Sequence, residues 1–191
     1  MPERDSLAER GRAFEDDYFR KKDRELIEKM RTAAAADQTR QALTSGTGLT
    51  DPALLAELQA LGFAPDTVSL LPLVPLVQMA WAEGGVSEAE RDLIFELARS
   101  RGIASASAAD QQLNGWLENR PSDDVFAGAM RLIRAMLDSG AAPAGVSADE
   151  VVKHTEEIAA ASGGILGIGR ISAEERALLE RITADLKGPR D

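Results

Sequence analysis

The chain has 191 residues, and its 22 lysines and arginines against 32 aspartates and glutamates give a formal net charge of −10. This acidic balance argues against nucleic acid as a partner, and the absence of cysteine excludes disulfides, thiolate metal sites and cysteine nucleophiles. Aromatic residues make up only 4% of a chain that is 44% hydrophobic, while alanine and leucine are abundant. We therefore expect an all-α protein.

Residues 1–31 contain nine basic and nine acidic residues, so the net charge arises after residue 31. Acidic residues stand four positions before basic ones, as Asp16 does before Arg20, and this order stabilises a helix. Large apolar residues accompany the charges at helical intervals. They are Phe14, Tyr18, Phe19, Ile27 and Met30. The segment predicts an amphipathic helix that binds a protein partner or a second copy of the chain.

The residues after this helix run through an alanine tract into Thr44-Ser45-Gly46-Thr47-Gly48. Small residues and glycines in this density are typical of flexible linkers. We expect residues 1–49 to form the N-terminal helix and a linker, and residues 50–191 to form a helical domain.

Helix starts and stops are well marked in the second part. Asp51-Pro52 is typical of an N-cap and a first helical residue, and Gly62 of a stop. Further helices are predicted over 73–83, before Gly84-Gly85, and after Ser122. Four more starts have a serine followed three residues later by an acid, which is the capping-box pattern. They are Ser87 with Glu90, Ser107 with Asp110, Ser147 with Glu150, and Ser172 with Glu175. We expect these four helices to reach about residues 101, 119, 162 and 186.

The most apolar run, 68–82, is about 15 residues long and contains two prolines. A membrane span needs roughly 20 residues, so this run predicts a buried helix and we expect no membrane span. The start of the chain is charged and lacks the apolar stretch of a secretion signal. We expect a cytoplasmic protein.

An internal repeat relates residues 80–94 to residues 160–179. Each copy has the end of an apolar helix, a double glycine, a β-branched residue, a capping serine and an acidic helix start. The two capping serines, Ser87 and Ser172, are 85 residues apart. Two such hairpins packed face to face predict a multi-helix bundle with approximate internal twofold symmetry.

Residues 65–186 resemble the TerB-like family, named for bacterial tellurite-resistance proteins. The resemblance rests on Ala80-Trp81-Ala82-Glu83-Gly84, on the helix start Val86-Ser87-Glu88-Ala89-Glu90, and on Gly102-Ile103. Residues 162–175 are similar to a form of the same hairpin. The resemblance implies an all-helical fold of two related halves, a bacterial cytoplasmic setting, and a role in stress or metal-ion response without catalysis.

The resemblance also implies a cation site made by acidic residues of the two hairpins. By position its ligands are Glu83, Glu90 and Glu175, and carboxylate oxygens suit Ca²⁺, Mg²⁺ or Mn²⁺. Ser162 stands where a further acid is expected, which removes one charge. In the alternative interpretation, Glu90 and Glu175 are capping-box partners and the neighbouring acids only complement the helix dipole.

Three other features lead to separate expectations. The glycine-rich segment 163–169 lacks the lysine and the preceding strand of a phosphate loop, so we interpret it as a tight helix connection. His154 is the single histidine. Glu150 and Glu157 flank it on the same helix, which favours its protonated form, and we assign it no role. The two tryptophans are expected in the core or at its edge.

These patterns favour a non-catalytic helical binding or adaptor module that requires no cofactor. Its N-terminal helix either packs on the rest of the chain or docks on a partner. The alternative is a cation sensor in which binding at the hairpin turns rigidifies the two halves. A hydrolase with paired carboxylates has the least support, because no nucleophile or histidine pattern accompanies the acids.

Overall fold

The computed structural model describes residues 3–140, 142–143, 146–162 and 171–188, with side chains from Tyr18 onward except that of Ser162. The described residues form eight α-helices and one 3-10 helix, with no strand. The prediction of an all-α, multi-helix fold is therefore confirmed. The side chain of Phe14 and the glycine-rich segment 163–169 lie outside the described residues.

The chain divides into two compact units, Met1–Gln41 and Ala42–Asp191. Among the described helices, none combines the length and the apolar character needed to cross a bilayer. In chain order the elements are α1 (Glu3–Thr47), α2 (Pro52–Ala60), a 3-10 segment (Val68–Leu73), α3 (Val74–Ala80), α4 (Glu88–Ser100), α5 (Ala108–Glu118), α6 (Asp123–Asp138), α7 (Ala148–Ser162) and α8 (Ala173–Lys187).

Local capping signals account for most helix boundaries of the second unit. The Asp51 carboxylate accepts a hydrogen bond from the Ala53 amide at 2.8 Å and starts α2, as an N-cap side chain does. Gly62 and Gly102 follow α2 and α4 with φ of +86° and +81°, a conformation that glycine adopts without a steric penalty. The predicted starts and stops of these helices are confirmed to within two residues.

The apolar run 68–82 differs from the single helix predicted over 73–83. It begins as the 3-10 segment, continues as α3 and ends in a turn at residues 81–83. Pro72 lies inside the 3-10 segment, and Pro75 lies in the first turn of α3. Proline lacks an amide hydrogen and disfavours α geometry in the preceding residue, so the α-helix starts only at Val74.

The flexible linker predicted over 44–48 is wrong, because α1 continues as a regular helix to Thr47. Leu43, Thr47 and Leu49 are all buried. The Thr47 hydroxyl donates to the Leu43 carbonyl and accepts from the Leu49 amide. A Cβ atom on Gly46 would lie 2.7 Å from Val68 Cγ1. The small residues of this segment therefore permit close packing on the 3-10 segment.

The α3 helix is central to the second unit, because it packs against α4, α6, α7 and α8. The α7 helix in turn packs against α3, α4 and α8, so the α3–α4 and α7–α8 hairpins share one core. Both tryptophans pack at the edge of that core, and Trp81 Nε1 donates to the Trp116 carbonyl at 2.9 Å. The twofold relation between the hairpins stays a prediction.

Replacing Leu43 by alanine tests whether the end of α1 belongs to the core. Leu43 is 0% exposed, whereas Leu26 on the same helix is 57% exposed. We expect Leu43→Ala to lower the free energy of unfolding by about 2–5 kcal/mol and Leu26→Ala to change it by less than about 0.5 kcal/mol. Urea denaturation followed by circular dichroism measures both variants. Equal, small losses would contradict the packing of residues 43–49.

Candidate functional site

The first candidate ligand, Glu90, closes a capping box at the start of α4. Its carboxylate accepts a hydrogen bond from the Ser87 amide at 2.8 Å, and its own amide donates to the Ser87 hydroxyl at 3.3 Å. The Glu90 side chain is buried, with 2% of its surface exposed. The two bonds satisfy amides that a helix start otherwise leaves without a partner.

The second candidate ligand, Glu175, repeats this arrangement at the start of α8. Its carboxylate accepts from the Ser172 amide at 2.8 Å, and its amide donates to the Ser172 hydroxyl at 3.1 Å. Glu175 is also buried. Both glutamates therefore have the capping role of the alternative interpretation, with one carboxylate oxygen of each occupied by a backbone amide.

The other two serine starts form N-caps without the full box. Ser107 accepts from the Asp110 amide at 3.2 Å, but the Asp110 carboxylate binds the Ala106 amide and forms an ion pair with Arg99. At the start of α7, the Ser147 hydroxyl accepts from the Glu150 amide and donates to the Glu150 carboxylate. The complete box thus occurs at the two helices that carry the candidate ligands.

Burial raises the pKa of Glu90 above its ordinary value, and the negative charges of Glu175 and Glu83 raise it further. The hydrogen bonds from Ser87 act in the opposite direction, because they stabilise the carboxylate. Glu83 itself is exposed, on the turn that follows α3. The three residues predicted as ligands therefore lie close enough to affect one another electrostatically.

Metal coordination requires several ligand atoms converging on one point. In the part of the chain that the structure describes, no group of three or more acidic or histidine side chains is arranged to hold a metal ion. The negative charges of Glu83 and Glu175 act on Glu90. The buried carboxylates of Glu90 and Glu175 each accept a hydrogen bond from a backbone amide.

The predicted binding side of α1 carries exposed large apolar residues. Tyr18, Phe19, Ile27 and Met30 each expose about half or more of their surface. Leu26, which the sequence interpretation did not include, is 57% exposed. The Tyr18 and Phe19 rings pack edge to face, with centroids 5.9 Å apart. Leu26 stands seven residues after Phe19 and four before Met30, a spacing that could have identified it.

The protonation predicted for His154 is wrong in sign. Burial lowers the pKa of His154, and the positive charges of Arg101 and Lys153 lower it as well. Glu157 and Glu150 raise this pKa, but their effect is the smaller one. The imidazole is therefore held in its neutral form at pH values where an ordinary histidine is partly charged.

No family model, no curated protein and no solved structure matches this chain. The TerB-like resemblance of residues 65–186 stays a prediction, together with the cation site that it implies. The functional proposals therefore rest on the contacts, burial and charges of the described residues.

Because folding raises the pKa of Glu90, ionisation of this side chain destabilises the folded chain. The stability contributed by the protonated carboxyl group is fully present below the unfolded pKa near 4.5 and is lost as the pH rises through the higher folded pKa. Glutamine keeps the acceptor for the Ser87 amide without the charge. We expect Glu90→Gln to become more stable relative to wild type as the pH rises from about 4.5 to 7.

Thermal melts of both proteins across this range measure the difference. The control is Glu88→Gln, which removes an exposed acid from the same first turn. A difference between wild type and Glu90→Gln that does not vary with pH would show that the buried carboxyl is not destabilised.

Proposed function

We propose that this chain is a non-catalytic helical binding module that acts through the exposed apolar side of α1. The cytoplasm is the setting that we propose for it, in a bacterial stress response of the tellurite-resistance type that the TerB-like resemblance implies. The single observation that supports the proposal is the exposure of five large apolar side chains on one helix. They are Tyr18, Phe19, Leu26, Ile27 and Met30.

Three of these side chains form one continuous strip. Phe19, Leu26 and Met30 are spaced by seven and four residues, which places them within about 40° of one another around a helix. Tyr18 and Ile27 stand to either side of the strip. A strip of this kind is what an amphipathic helix offers to an apolar groove or to a second helix. Burial of each large side chain contributes roughly 1.5–3 kcal/mol.

The charge arrangement of α1 favours a second copy of the chain as the partner. Residues 3–17 carry six acidic and three basic residues, whereas residues 18–31 carry three acidic and six basic residues. The first stretch therefore has a net charge of −3 and the second of +3. Antiparallel pairing of two such helices about residue 17 places each stretch opposite its complement, so that the strip of each helix lies against residues 4–15 of the other, whereas parallel pairing places like charges together.

Removing the apolar strip should weaken self-association. We expect the wild-type chain to show a mass that rises with concentration in sedimentation equilibrium. The combined variant Phe19→Gln, Leu26→Gln and Met30→Gln should associate at least about tenfold more weakly. Ala35→Gln is the control, because Ala35 is exposed and lies about 160° from Phe19 around the helix.

The dependence on salt distinguishes the contribution of charge pairing to this association from that of apolar contact. Pairing of opposite charges weakens as salt screens them, so association should decline between about 0.05 and 0.5 M NaCl. A wild-type chain that stays monomeric at all concentrations would exclude self-association through α1. An associating chain whose mass is unchanged in the triple variant would exclude the apolar strip as its contact.

A cation sensor is the second candidate function, and the electrostatics of Glu90 favour it. The carboxylates of Glu83 and Glu175 raise the pKa of Glu90, so a divalent cation near the three would relieve their mutual repulsion. We propose Ca²⁺, Mg²⁺ or Mn²⁺ as the ion, since oxygen ligands suit these hard cations. Binding would hold the starts of α4 and α8 together.

Thermal melts in EDTA and in about 1 mM of each cation test the sensor. An ion that binds only the folded chain stabilises it by about 2.7 kcal/mol at a hundredfold excess over Kd. That corresponds to a rise in the midpoint of about 5–10 °C for a chain of this size. Glu83→Gln should remove the rise, while Glu88→Gln should keep it. No rise with any ion would leave the glutamates as helix caps alone.

A further inference from the structure

A cavity of about 460 Å³ lies within the second unit, beside the 3-10 segment, the ends of α4 and α6 and the first turns of α7. We call it the Arg101–His154 cavity after its two nitrogen-bearing side chains. Val68, Met136 and Val146 provide apolar wall. A volume of this size lies within the range of small-molecule sites, which combine apolar walls with a few polar groups.

His154 also lines this cavity. Its Nδ1 is buried and has no hydrogen-bond partner among the described residues. A buried imidazole nitrogen without a partner costs free energy, and nearly all such groups in folded proteins are satisfied by protein, water or a ligand. The neighbouring residues of its own helix do not supply that partner.

Arg101 brings an unpaired cation to the same cavity. Burial lowers the pKa of its guanidinium, and the charge of Glu150 acts against that effect. Within the described residues, the guanidinium donates no hydrogen bond and forms no ion pair at contact distance. Glu150 also lines the cavity, but its carboxylate accepts a hydrogen bond from the Ser147 hydroxyl at 3.0 Å. The Arg101 guanidinium, with its five N–H donors, therefore lines the cavity without a hydrogen-bond partner among the described residues.

We propose that the Arg101–His154 cavity binds a small organic carboxylate. The carboxylate oxygens accept hydrogen bonds from the Arg101 guanidinium, His154 lies beside the bound ligand in the cavity wall, and the apolar body of the ligand packs against Val68, Met136 and Val146. The site lies wholly in the second unit, so it is independent of the binding function proposed for α1.

Three observations favour a carboxylate over other anions. The guanidinium fork of Arg101 matches the two oxygens of a carboxylate. The apolar walls accommodate a hydrocarbon body, which an inorganic ion lacks. The charges that act on His154 are Arg101 and Lys153 against Glu150 and Glu157, so the site has no excess positive charge to hold a dianion.

The single histidine of the chain makes the site directly observable. Benzoate titrated into the full chain, with isotope-labelled histidine, should cause a saturable change in the ring signals of His154. The bound anion stabilises the imidazolium, so saturation should raise the pKa of His154 measured by NMR. Arg101→Gln should weaken benzoate binding at least about tenfold, since it removes a charge-assisted bidentate contact. The benzoate affinity of Arg101→Lys should lie between those of the wild type and Arg101→Gln.

Lys153→Gln is the matched control, because it removes one positive charge next to His154 from a residue that does not line the cavity. It should retain benzoate affinity within about twofold. Melting midpoints verify that each variant is folded. Benzamide and inorganic phosphate should not cause the saturable change, because the first lacks the charge and the second lacks the apolar body.

Several results would overturn the proposal. One is that benzoate causes no saturable change, which would indicate a cavity filled by water alone. The others are that benzamide binds as well as benzoate, that phosphate binds more tightly than benzoate, or that Arg101→Gln leaves the benzoate affinity unchanged.

Discussion

The starts of α4 and α8 depend on two glutamate side chains that are buried against the amides of their own N-cap residues. Glu90 and Glu175 fix the first turns of α4 and α8 by the same pair of hydrogen bonds. Both helices pack against α3 and α7, so each capping box sets where the second helix of a hairpin begins and which face that helix turns to the core. A buried carboxylate without such bonds would be strongly unfavourable, which couples helix capping to core packing.

Much of this architecture could be predicted from the sequence because capping is local. A serine with an acid three residues later, or Asp51 before Pro52, defines a helix start through groups only a few residues apart. The 3-10 segment and the end of α1 could not be predicted in this way. Their conformations depend on proline sterics within an all-apolar run and on contacts such as Gly46 against Val68, which no local pattern contains.

The candidate site residues were predictable from the sequence only where their role depends on a local pattern. Residue types and spacing identified Glu90 and Glu175, and the capping alternative followed from the pattern itself. The pKa direction of His154 was not predictable, because the sequence displays Glu150 and Glu157 on its own helix but not Arg101, which reaches it from the end of α4. Burial and charge from a distant part of the chain outweighed the visible neighbours.

Competition for hydrogen bonds distinguishes the two sites proposed in the second unit. A cation at Glu90 and Glu175 must share carboxylates that already accept N-cap amides, and loss of a cap costs about 1 kcal/mol. A carboxylate ligand in the Arg101–His154 cavity meets a guanidinium that has no hydrogen-bond partner among the described residues. Binding there breaks no internal hydrogen bond of Arg101, so the same interaction energy yields more net affinity.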